Sequence, residues 1–126
     1  MPSAKVEKWL PLSTSDFHIL LSLVSAEAHG YAIMREVSER TGGRMRIGPG
    51  TLYGAIKRMV AEGLIAEVGD RTDPKVDPER RRYYRLTPLG RRVAAAEAGR
   101  LAELVCVATT KKLISAEGLK LRGAHS

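Results

Sequence analysis

The hydrophobic period changes twice along this chain, and the order of the changes limits the architectures open to it. Apolar side chains recur at helical spacing three times between Ser13 and Glu62, give way to two β-type runs between Leu64 and Leu86, and return to helical spacing after Pro88. Three short helices, a two-stranded ribbon and one long helix are predicted, in that order: a mainly α chain with a small β part. At 126 residues it can bury one modest core, and a second, catalytic domain has no room.

Local signals place each element. Ser13 and Asp16 stand three apart, like a capping box with Asp in the place of Glu, ahead of a helix from about residue 14 to 26. Its inward face is predicted from Phe17, Leu20, Leu21 and Val24, widened by Ile19 and Leu23, a stripe too apolar for a free surface helix. His29-Gly30 opens a second helix with Tyr31, Ile33, Met34 and Val37 on one side, Glu36, Glu39 and Arg40 on the other, and Gly42-Gly43 at its end. After an extended segment at Met45-Arg46-Ile47, Gly48-Pro49-Gly50-Thr51 leads into a third helix. Its apolar positions are Leu52, Ile56, Met59 and Val60, and its stop is Gly63. The runs 64–68 and 81–86 read as strands, joined by a polar loop from Gly69 to Arg80 that Pro74 and Pro78 interrupt.

Thr87-Pro88 supplies an N-cap and a first-turn proline to a long helix reaching about residue 114. Leu89, Val93, Ala96, Leu101, Leu104, Val105 and Ala108 form an apolar stripe along it. A stripe on a helix that outreaches a small domain needs a cover, and a second copy of the chain across a two-fold axis is the economical one. Leu89, Val93, Leu101, Leu104, Val105 and Ala108 are then the dimer interface. The competing reading folds the helix back on its own domain. Trp9 and Leu10, in an N-terminal arm over residues 1–12, fit either a neighbour or the core, and the sequence does not decide which. Residues 116–126 lose the periodicity and read as a loosely ordered tail.

Charge narrows the function. Lys and Arg number 21 against 14 Asp and Glu, a net +7, and residues 71–92 alone hold eight of the cations against three carboxylates. Such an excess favours an anionic partner, nucleic acid before membrane. No run approaches a membrane span and the start, Met1 to Lys8, lacks the apolar stretch of a signal peptide, so the cytoplasm is expected. Cys106 is the sole cysteine, which leaves no intramolecular disulfide and no multi-thiolate zinc site. His18, His29 and His125 lie apart without ligand spacing, Ser13 and Ser15 read as caps, and Gly48-Pro49-Gly50 lacks the length and lysine of a phosphate loop. No enzyme activity, cofactor or metal is expected.

Three short helices followed by a ribbon form the winged variant of the helix-turn-helix, here in residues 13–87 and followed by a dimerisation helix in 88–115. In that architecture the third helix enters the major groove of DNA and the ribbon approaches the backbone. The outward positions suit this: Thr51, Tyr53, Gly54, Lys57 and Arg58 on the third helix, and Arg80, Arg81 and Arg82 where the second strand begins. Thr51, Tyr53 and Lys57 are the candidates for proximity to bases, Arg58 joins them as a cation, and the three arginines are candidates for phosphates. Strand alternation prevents all three arginines from facing one surface.

Four motifs also resemble the PadR family of bacterial transcriptional regulators. They are His29-Gly30-Tyr31-Ala32-Ile33, Gly50-Thr51-Leu52-Tyr53, Glu62-Gly63-Leu64-Ile65 and Tyr83-Tyr84-Arg85-Leu86-Thr87-Pro88-Leu89-Gly90, in order across residues 13 to 90. The resemblance implies a dimeric winged-helix repressor of double-stranded DNA with a palindromic operator, and the single helix after the wing resembles the family's short subgroup. It implies that Thr51 and Tyr53 face DNA and that Tyr31, Leu52, Leu64 and Leu86 lie in the core, with one of Tyr83 and Tyr84 inside and the other outside. Gly54 departs from the family, which has proline there, and should loosen the start of the third helix. Release by a small-molecule effector is compatible with the resemblance, but the C-terminal helix has no Trp, Tyr or Phe from which to build an aromatic ligand sandwich. The alternative function is a winged-helix module for protein or RNA; Lys57, Arg58 and the arginine-rich strand weigh against it.

Overall fold

Each helix begins and ends on groups that its own sequence supplies. The structure, a computed structural model, describes residues 4–70 and 82–118. Its elements are α1 (Ala4–Glu7), α2 (Thr14–Ser22), β1 (Ala28–His29), α3 (Gly30–Arg40), α4 (Pro49–Ala61), β2 (Ile65–Asp70), β3 (Arg82–Leu86) and α5 (Pro88–Thr110). Ser13 Oγ accepts from the Asp16 amide at 3.1 Å, His29 Nδ1 from Ala32 at 3.0 Å, and Thr87 Oγ1 from Gly90 at 3.0 Å. Each cap satisfies a first-turn amide that has no partner within its helix. At the end of α4, Gly63 takes φ +84°. The Leu64 amide then reaches Met59 O at 2.9 Å and the Gly63 amide reaches Val60 O at 3.1 Å. Only a residue without a Cβ enters that left-handed turn at no steric cost.

Several boundaries differ from the sequence reading. Helix α2 stops at Ser22, short of residue 26, because residues 28 and 29 are claimed by the sheet: Ala28 pairs with Tyr84 and His29 with Tyr83. The Leu23 and Val24 amides tighten the exit by bonding three residues back, and Arg91 Nη2 donates to Val24 O at 2.8 Å. The ribbon is thus a three-stranded antiparallel sheet of order β1-β3-β2. Two residues are too few to show a period, so β1 has no sequence signature. The extended segment at 45–47 joins no strand, although Ile47 is buried. Helix α5 ends at Thr110, before residue 114, where Lys112 turns to φ 64°.

Strand β2 starts one residue later than predicted and runs on to Asp70, with a register shift between Glu67 and Gly69. The remainder of the predicted loop, with Arg71, Lys75, Arg80 and Arg81, lies outside the described residues, as do residues 119–126 of the predicted tail.

The core gathers Ile19, Leu20 and Leu23 with Ile33, Val37, Leu52, Ile56, Met59, Leu64, Ile65, Tyr84, Val93 and Ala94, all buried. On α2 the buried line is Ile19, Leu20 and Leu23, whereas Phe17, Leu21 and Val24 are half-buried, so the inward face is turned from the predicted one. Helix α5 is rooted on the turn after α4. The Thr87 amide donates to Leu64 O at 3.1 Å, and a Cβ on Gly90 would lie 3.0 Å from the Leu64 carbonyl carbon and 2.9 Å from Leu86 Cδ1. Glycine at 90 is therefore a packing requirement.

The N-terminal arm packs on its own chain. Val6 is buried, Trp9, Leu10 and Leu12 pack against the core, and the Leu12 amide donates to Glu97 Oε1 at 3.3 Å. Glu97, 2% exposed, accepts from Arg100 Nε at 2.8 Å and Nη2 at 2.7 Å. That paired guanidinium holds the Glu97 carboxyl below its usual pKa. Among the described residues, no helix is long and apolar enough to cross a membrane.

Candidate nucleic-acid interface

Helix α4 divides along its length into a buried and an open face. Leu52, Ala55, Ile56 and Met59 point into the core. Gly50, Thr51, Gly54, Lys57, Arg58 and Ala61 are exposed, at spacings of one, four, seven, eight and eleven from Gly50, which is a single helical face. Side chains at this face are small toward the helix start and basic beyond it. Gly48, the N-cap, supplies no side-chain cap, so the first-turn amides are left for an outside acceptor. The first-turn proline is Pro49, which places Gly54 in the second turn, where nothing lies within 4 Å of a Cβ built on it.

The predicted contact residues separate by role. Thr51 and Lys57 are exposed on the open face. Tyr53 is half-buried and its ring lies against Gly30 at the start of α3, so close that a Cβ there would sit 2.6 Å from Cζ and 2.8 Å from Cε1. That ring spaces α4 from α3. Arg58 Nη2 donates to Asp16 Oδ1 at 2.9 Å and Oδ2 at 2.8 Å, while its Nη1 lies 3.8 Å from Glu62 Oε2. Its charge is held by α2 and by its own helix.

Arg82 is exposed at the start of β3, with its Nε 3.7 Å from Glu67 Oε1 across the ladder. It lines a groove of about 340 Å³ together with Tyr53, Ile56, Lys57, Val60, Glu67 and Tyr84. The groove thereby brings the α4 lysine and the first described arginine of β3 to one surface. Tyr84 is buried there, and Tyr83 is half-buried against His29 with ring centroids 5.4 Å apart, edge to face.

Of the six residues read as a dimer interface, Val93 is fully buried and Leu89 packs against the core, so both serve the fold of the single chain. Farther along the same face of α5 the cover thins. Leu101, Val105 and Ala108 are half-buried, Leu104 is 55% exposed, and Val107 beside them is 50% exposed.

Sequence reasoning missed Asp16 as the partner of Arg58, since 42 residues separate them and the capping pattern already accounted for the aspartate. It also passed over Arg44 and Arg46, exposed in the segment entering α4; two cations leading into the helix expected in the groove were the available signal. Nearby, Arg40 Nη1 lies 2.9 Å from His18 Nδ1. A guanidinium can only donate, so the imidazole nitrogen accepts.

The family model for the transcriptional regulator PadR-like family matches residues 19–96. A 37.1 kDa protein in transposon TN4556 of Streptomyces fradiae is 36% identical over 86 residues, 68% of this chain, which spans 22% of that protein's length. The transcriptional regulator Rv3488 of Mycobacterium tuberculosis is 38% identical over 87 residues, 69% of this chain and 75% of that one. Among solved structures, a transcriptional regulator from Clostridium thermocellum superposes with a TM-score of 0.63 at 26% identity, covering 91% of this chain and all (100%) of that one. Bacillus subtilis PadR, solved in complex with operator DNA, gives 0.59 at 23% identity over 68% of this chain and 47% of its own. That last likeness is one of fold.

Proposed function

The chain belongs to the PadR-like family of transcriptional regulators, and from that premise we propose that it is a sequence-specific DNA-binding protein acting as a homodimeric repressor. The observation that carries the reading is the shared groove of Lys57 and Arg82. A helix that enters the major groove and a ribbon that follows the backbone need cations on one continuous surface. Residues 13–87 are the DNA-binding part, with Thr51 and Lys57 toward the bases and Arg82 toward phosphates; Arg80 and Arg81, candidates for further phosphate contacts, lie outside the described residues. Tyr53 contributes by setting the spacing of α4, and residues 1–12 buttress the long helix.

Residues 88–115 make the dimer. The stripe that Leu89, Val93 and Ala94 bury in the core continues into Leu101, Val105 and Ala108, which are half-buried, and Leu104, which is exposed. An isologous partner covers such a face with the same face of its own. Repression enters with the family and is read from no residue.

Selection of bound sites from a random duplex library, at two salt concentrations, tests the reading. A palindromic motif with half-sites about one helical turn apart, and a steep loss of binding with salt, is the expected result. Salt-sensitive binding without an enriched motif would leave only a basic winged-helix module.

A further inference from the structure

We propose that Asp16 is a specificity-determining residue of the α4 surface, acting by holding Arg58 away from the phosphate backbone. The proposal rests on the DNA-binding reading above and concerns the same surface.

Arg58 is on the open face of α4, next to Lys57, and by type and position would be the second cation of that face to meet DNA. It is instead clasped between two carboxylates. Both Asp16 oxygens lie within 2.9 Å of its Nη2, and Glu62 Oε2 is 3.8 Å from Nη1. The Asp16 side chain is 14% exposed against 48% for Arg58, so the acid is sheltered while the base faces outward. Asp16 also sits in the first turn of α2, where its backbone amide donates to Ser13 Oγ at 3.1 Å and fixes the start of the helix that carries it.

For Arg58 to reach a phosphate it must leave this site. The exchange trades one charge-assisted pair for another and strands a sheltered carboxylate, which cancels most of the gain. Lys57, by contrast, has no carboxylate within ion-pair distance among the described residues. Non-specific affinity grows with each phosphate neutralised, whereas specificity grows with base contacts. On an operator the base contacts of Thr51 and Lys57 fix how the helix docks, whereas a random duplex is held by phosphates alone, so withholding one cation lowers random-duplex affinity more than operator affinity and the ratio between them rises.

The test is Asp16→Asn, which keeps the size of the side chain and removes its charge. Affinities of the full-length protein for its selected operator and for a random duplex are measured across a salt series. Random-duplex affinity should rise about fivefold near physiological salt, its log–log salt slope should steepen by about 0.9, and the operator-to-random ratio should fall. Adding Arg58→Gln should cancel the gain, and Asp16→Glu should keep the original selectivity.

A gain that persists without Arg58 would mean that Asp16 acts only as a negative charge near DNA, which overturns the proposal. Equal loss of both affinities in Asp16→Asn, with an unchanged slope, would make Asp16 a purely structural residue and overturns it as well. Failure of the unsubstituted protein to bind any duplex removes the DNA-binding reading and this proposal together, and shows before any substitution is made.

Discussion

Burial, and then the charge of Arg40, lower the His18 pKa below its ordinary 6.5. Arg40 Nη1 donates to its Nδ1 at 2.9 Å, a bond that only the neutral ring can accept. In the window between the lowered value and 6.5 the unfolded chain binds more protons than the folded one. The contribution of His18 to stability is therefore complete above pH 6.5 and is lost as pH falls through the folded value. The Glu97 carboxyl, lowered from 4.5 first by its bond to Arg100, loses its contribution in a separate, more acidic window. Urea unfolding at pH 7.5 and 5.5 should show the unmodified protein losing stability with acid and His18→Gln losing less; parallel losses would assign the effect elsewhere. Gly30 and Tyr53 are coupled by contact in the same way. Gly30→Ala should cost about 1–2 kcal/mol through overpacking against the Tyr53 ring, and Tyr53→Leu in that background should recover part of it. Additive losses in the double-mutant cycle would deny the contact its role.

Between elements, the polar ties are few and specific. Glu97 fastens the N-terminal arm to α5 through the Leu12 amide while it neutralises Arg100. Glu97→Ala leaves the part-buried Leu12 amide without its acceptor, which should cost about 1 kcal/mol, and releases the Arg100 guanidinium. The loss should be local first: amides of residues 6–12 should exchange faster in the variant, while those of β3 keep their protection. Uniform acceleration would instead mean that the arm and the core unfold as one unit. The α4 to α2 tie through Arg58 and Asp16 has the same construction, but it lies on the face proposed for DNA.

For the whole molecule, the proposed dimer rests on the unfinished cover of α5. Burial of one face is complete at Val93 and Ala94, then gives way to Leu104 at 55% exposure and Val107 at 50%. Leu104→Asp places a charge in the proposed seam and should convert the dimer to monomer in sedimentation, with the fold intact by circular dichroism, since Leu104 lies outside the core. A variant that still sediments as a dimer would move the interface elsewhere. Operator affinity should fall with the dimer, because each half-site alone offers half of the contacts.

Signals that act within one or two turns were legible in the sequence. As caps and stops, Ser13 ahead of α2, Thr87-Pro88 ahead of α5 and Gly63 after α4 act on amides or carbonyls within six residues, so composition and spacing suffice for those roles. The period of the apolar residues likewise determined which faces of α3 and α4 turn inward, with Ile33, Val37, Leu52, Ile56 and Met59 in the core as the spacing requires. The tertiary structure decided whatever depends on a partner far along the chain. Pairing with Tyr83 and Tyr84 ended α2 early and made a strand of Ala28 and His29. Contact with Gly30 turned Tyr53 inward, the core absorbed Val93, and Asp16 captured Arg58. A side chain's type limits what it can bind, but its role is set by the group that folding brings within contact, and that group is specified by no local spacing.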